Sequence, residues 1–78
     1  MTHSKHEIAV FIENEEMLRE ARELLEKYGE KQGDKTDMKL LDSYQWLMYI
    51  DDAFWYIGSA CMGKQITLPQ LEEILKNQ

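Results

Sequence analysis

Apolar residues concentrate in three stretches, 8–28, 40–62 and 66–75, separated by the mostly polar segments 29–39 and 63–65. The middle stretch dominates, with both tryptophans, three of the four tyrosines and the only cysteine. Two periods compete within it. As a helix, Leu40, Tyr44, Leu47, Ile50, Phe54, Ile57 and Cys61 recur every three or four residues, the spacing of one helical face. Asp42, Gln45, Tyr49, Asp52, Tyr56 and Ser59 follow the same period on the other side. As a hairpin, SYQWLMYI and AFWYIGSA would be strands about Asp51-Asp52, and their aromatic and β-branched content suits that arrangement. Strict alternation fails over Trp46–Ile50, however, and Asp-Asp lacks the glycine of a tight primed turn. The helix is therefore preferred. Trp46, Met48, Trp55 and Met62 make its apolar stripe too wide for a single packing partner.

The first stretch is also ambiguous at its start. Met17, Leu18, Ala21, Leu24, Leu25 and Tyr28 lie on one helical stripe, which Val10 and Phe11 extend backwards. Ser4 and Glu7 have capping-box spacing, so one helix over Lys5–Tyr28 is the preferred expectation. Ile8 and Ile12 disagree, because that helix would place them on its charged side. The alternative is a strand over residues 8–12, with Asn14 capping a separate helix from Glu15. Gly29 suits a left-handed helix terminus, Thr36 or Asp37 would cap the central helix, and Gly63 would end it.

The last stretch carries the clearest local signal. Thr67 as N-cap, Pro69 in the first turn, Gln70 three residues past the cap and an Ile66/Leu71 staple predict a helix to about Lys76. The expectation is thus a single all-α domain over residues 1–78, with two long antiparallel helices and a short C-terminal one. The alternative is an α+β chain ordered strand, helix, hairpin, helix.

Charge narrows the work available. A net charge of −6 argues against direct binding to nucleic acid, which needs a basic footprint. Between Glu7 and Glu30, eight glutamates face Arg19, Arg22 and Lys27. Glu13, Glu16, Glu20 and Glu23 form an acidic helix face suited to a basic or nucleic-acid-binding protein. One cysteine excludes an internal disulfide and suits a reducing cytoplasm. No secretory leader is apparent, and Asp42, Asp51 and Asp52 rule out a membrane-spanning central helix.

Catalytic and metal chemistry finds no foothold. The four glycines are scattered, and both histidines, His3 and His6, lie far along the chain from Cys61. His3 could chelate copper only with the intact amino terminus, and Thr2 favours removal of Met1. No zinc-ligand spacing occurs. No cofactor or metal is expected, and no enzymatic activity. What stands out is aromatic. Trp46, Tyr49, Asp52, Trp55 and Tyr56 are candidate interface residues, with Tyr49 and Tyr56 as a ridge on one helix side. Asp51, Tyr44 and Gly58 form a candidate ligand notch, since a carboxylate on an apolar face is costly to bury unpaired. The leading expectation is a non-enzymatic cytoplasmic adaptor or inhibitor that binds another protein and forms a homo-oligomer. The alternatives are an acidic decoy that blocks a nucleic-acid-binding enzyme, and a small-ligand module around Asp51.

Overall fold

A strand, not a helix, begins the described part of the chain in the computed structural model, which describes residues 7–50 and 53–77. The element order is β1 (Ile8–Phe11), α1 (Glu15–Lys27), β2 (Trp46–Tyr49), β3 (Trp55–Gly58), β4 (Lys64–Ile66) and α2 (Leu68–Lys76). The strands form one sheet in the order β3-β2-β1-β4, with β1 antiparallel to β2, β2 antiparallel to β3, and β4 parallel to β1. The fold is α+β. The all-α expectation is overturned, and strand, helix, hairpin, helix describes the chain once β4 is added.

The central helix fails because the hairpin hides apolar side chains on both faces. Val10, Leu47 and Ile57 lie in register on one face, while Phe11, Trp46 and Gly58 lie in register on the other. A strand apolar on both faces reads as a continuous run rather than an alternation. The missing glycine is no obstacle either. The Ala53 N–H donates to the Ile50 carbonyl at 3.0 Å and the Ile50 N–H to the Phe54 carbonyl at 2.9 Å. That loop is longer than the two-residue primed turn whose chemistry requires glycine.

The long first helix fails at Asn14. Its backbone is extended (φ −155°, ψ 175°) and its side chain accepts the Met17 N–H at 2.9 Å, so it starts α1 as an N-cap. Ile8 and Ile12, misplaced on a helix, are buried in the core. At the other end, Gly29 at φ +68° lets its own N–H reach the Glu26 carbonyl and that of Glu30 the Leu25 carbonyl. This left-handed terminus satisfies carbonyls the helix leaves open. The Ser4–Glu7 capping box falls on Ser4, outside the described residues.

Both helices cover the same side of the sheet. Leu18, Ala21 and Leu25 from α1 join Leu71, Ile74 and Leu75 from α2 over Ile8, Val10, Leu47, Trp55, Ile57 and Ile66. α2 starts as its sequence predicts, with the reciprocal Thr67–Gln70 capping box and Pro69 in the first turn. Glu72 ties the two helices together, accepting from Lys27 Nζ and from the Tyr28 hydroxyl, each at 3.1 Å.

The expected roles of Thr36, Asp37 and Gly63 at the ends of a central helix disappear with it. Thr36 and Asp37 instead donate backbone N–H groups to Asp34 Oδ1 at 2.8 and 3.1 Å, which shapes the loop between α1 and β2. That loop covers the outer edge of β3. Lys31 and Asp37 carbonyls accept the Trp55 and Ile57 N–H groups, and the Gly33 N–H reaches the Trp55 carbonyl. One sheet edge is thereby closed to strand addition. The opposite edge is β4, which is short and begins with exposed Lys64.

Candidate functional site

The sheet face turned away from the helices is aromatic and only partly covered: Ala9, Met48 and Gly58 on it are buried, while Phe11, Trp46 and Tyr56 are half-buried. Strand pairing fixes its members: Ala9 and Phe11 from β1, Trp46 and Met48 from β2, Tyr56 and Gly58 from β3. Phe11 and Trp46 meet edge to face, with ring centroids 5.1 Å apart. Gly58 packs closely here: a Cβ would stand 2.6 Å from the Met48 methyl, which would have to move, and 3.1 Å from the Tyr56 ring. Among the described residues, neither helix covers this face.

Beside it opens a groove of about 630 Å³ lined by Leu41, Tyr44, Met48, Tyr56, Gly58 and Met62, with Asp37 and Lys39 among its other residues. Leu41 and Tyr44 are each nearly half exposed, and Met62, at 79%, is the most exposed large apolar side chain described. Such a cluster of accessible apolar groups marks an interaction surface more often than isolated exposed residues do.

The structure divides the sequence candidates among three places. Trp46, Tyr56, Tyr44 and Gly58 all belong to the open face or its groove. Tyr49 and Trp55 do not. They pair across β2 and β3 on the helix side, with ring centroids 5.3 Å apart. Trp55 is fully buried, and its indole N–H donates to Glu30 Oε1 at 3.0 Å. It is a core residue with no surface to offer. The Tyr49/Tyr56 ridge dissolves for the same reason: seven residues share a helix side, but across this hairpin the two tyrosines occupy opposite faces. Asp51 and Asp52 lie outside the described residues, so the notch retains Tyr44 and Gly58 here.

The third place is α1. Glu16, Glu20 and Glu23 are exposed on it, while Leu18, Ala21 and Leu25 face the sheet; Glu13, expected on the same helix face, is exposed but precedes the N-cap Asn14 and lies outside the helix. The acidic stripe and the aromatic face are therefore on opposite sides of the molecule. Aromatic anchoring and the glutamates therefore belong to different surfaces.

Sequence reasoning noticed Met48 and Met62 only as a widening of a helical stripe, and it missed Phe11 and Leu41 as surface residues. The usable signal was period two: Trp46, Met48 and Tyr56, Gly58 are the alternate positions of two paired strands.

Other features offer less. A cavity of about 470 Å³ between α1 and the following loop mixes Arg22, Lys35 and Lys39 with Glu15 and Asp34. The Asp34 carboxyl is held below its ordinary range by the Asp37 and Thr36 backbone N–H groups, so it serves the loop. Cys61 is exposed, with its thiol donating to the Gly63 carbonyl at 2.9 Å. Among the described residues, no group of three histidine, cysteine or acidic side chains could hold a metal ion. No described helix is long and apolar enough to cross a membrane.

No protein-family model matches the chain, and neither a curated protein nor a solved structure does.

Proposed function

We propose that this protein is a non-enzymatic protein-binding regulator, working in the cytoplasm, whose groove receives an apolar side chain from another protein surface. The observation that supports the reading is the clustering of Leu41, Tyr44 and Met62, all exposed, around a groove floored by Met48, Tyr56 and Gly58. The aromatic rings give large contact area at low entropic cost, and the methionines adapt to the shape presented. Capture from source-cell lysate with wild type, Met62→Asp and Tyr44→Asp tests it. A protein retained by wild type and lost from both variants is the expected result. Identical captures by all three would overturn it.

The acidic stripe of α1 favours a second reading, a decoy occupying a basic, nucleic-acid-binding site on an enzyme. Its support is the exposure of Glu16, Glu20 and Glu23 along one helix side, with exposed Glu13 just before the N-cap. Binding would then weaken steeply with salt and compete with DNA or RNA. A complex equally stable at low and high ionic strength would exclude it.

A further inference from the structure

We infer that the cavity between α1 and the loop that follows it binds a small organic phosphate, a phosphate monoester carried on an apolar or aromatic body. The site is separate from the open face, and nothing in it depends on the protein-binding reading.

Charge carries the inference first. The cavity encloses about 470 Å³ and is lined by Arg22 from α1 and by Lys35 and Lys39 from the loop, against Glu15 and Asp34. Three of the chain's nine lysines and arginines thus border one hollow. With three cations against two carboxylates its lining is positive by one, in a chain of net charge −6. Among the described residues, none of these three cations makes a salt bridge or a side-chain hydrogen bond, whereas Lys27 on the same helix is paired with Glu72. Nor do the two carboxylates neutralise them. Asp34 Oδ1 is taken up by the Thr36 and Asp37 backbone N–H groups at 2.8 and 3.1 Å, and Glu15 makes no ion pair among the described residues. A phosphate monoester, close to doubly charged at neutral pH, suits an arginine fork and two lysines together.

The apolar part of the lining selects the rest of the ligand. Leu18 and Met38 are buried and Leu40 is half-buried where they border the cavity. A bare inorganic anion leaves that surface wet, and an apolar or aromatic body covers it. The volume lies within the range of small-molecule sites, about 300–1,000 Å³.

The wall is also held in place. Gln32 Nε2 donates to the Arg22 carbonyl at 3.2 Å, tying the loop to α1. Within the loop, the Asp34 N–H reaches Asp37 Oδ2 at 3.2 Å and the Met38 N–H reaches the Asp34 carbonyl at 3.0 Å. A backbone already ordered lowers the cost of binding. The three cations are exposed, so the affinity is modest and falls with salt.

Amide-detected NMR titration of the full chain with phenyl phosphate at low salt tests the inference, with circular dichroism confirming each variant's fold. Saturable shifts should cluster at residues 18–22 and 33–40. Arg22→Gln and Lys35→Gln should each weaken binding roughly threefold or more, and the pair together roughly tenfold. Glu15→Gln removes a repelling carboxylate and should strengthen binding, while Lys27→Gln should leave it unchanged. Inorganic phosphate and phenol, each holding half of the chemistry, should bind more weakly than phenyl phosphate. No saturable shift at low-millimolar phenyl phosphate, shifts spread over all the lysines, or an affinity indifferent to Arg22→Gln and Lys35→Gln overturns the inference. Binding to phosphatidic acid vesicles without a response to phenyl phosphate also overturns it, and assigns the cations to a membrane surface. The groove is judged separately, by the loss of captured protein on Met62→Asp.

Discussion

Trp55 separates a core residue from an interface residue, and the consequences can be sized. Its side chain is fully buried, lies against Tyr49, and donates its N–H to Glu30. Trp55→Phe removes about 50 Å² of apolar surface, or about 1.2 kcal/mol at 25 cal/mol per Å². It also removes a hydrogen bond to a carboxylate, worth about 1.5 kcal/mol at the low end because half-buried Glu30 can turn towards water. The expected loss is about 2–3 kcal/mol. Trp55→Ala should cost about 3–5 kcal/mol. A 78-residue chain has a total stability of about 4–12 kcal/mol, so that variant stands near the edge of folding. Urea denaturation, followed by far-ultraviolet circular dichroism at constant m-value, reads both. Fluorescence adds an independent check. In a Trp46→Phe background the remaining emission should be blue-shifted and resist iodide quenching. If Trp55→Phe were within about 0.5 kcal/mol of wild type, the usual range for surface substitutions, and its emission quenched freely, the core assignment would be wrong.

Two further predictions probe the helix ends and the clasp between helices. Asn14→Ala should destabilise by about 1 kcal/mol in urea, because the Met17 N–H loses its acceptor; in a continuous helix the same change would stabilise, since alanine is the better helix former, so the sign decides. The Glu72 carboxyl is held below its ordinary value of 4.5, first by Lys27 and then by the Tyr28 hydroxyl, so its stabilising contribution is complete above that value and is lost as pH falls through the lowered one. Glu72→Gln should therefore lower the melting temperature slightly at pH values above about 4.5 and converge on wild type as the pH falls further, whereas a profile identical to wild type at every pH would show that the clasp contributes nothing.

The sequence by itself determined the local devices. The Thr67–Gln70 capping box, Pro69 in the first turn of α2, the left-handed Gly29, and the amphipathic stripe of Leu18, Ala21 and Leu25 were all legible. Each depends on groups within a few residues of one another, so the chain states them without reference to the fold. The outward side of α1 was legible for the same reason, as a consequence of helical period. The nature of residues 40–62 was not. Leu47 and Ile57 recur at helical spacing and also meet across a hairpin, and a segment apolar on both faces satisfies either period. What chose the sheet was β1. Ile8, Val10 and Ile12 need burial on one side, and β1 pairs with β2 and β4, at least 35 and more than 50 residues away in sequence. The same long-range pairing sent Tyr49 and Trp55 into the core and left Trp46 and Tyr56 on the open face. Period alone sorts side chains into two sets. Only the tertiary structure, by laying both helices on one side of the sheet, decided which set became core and which became surface.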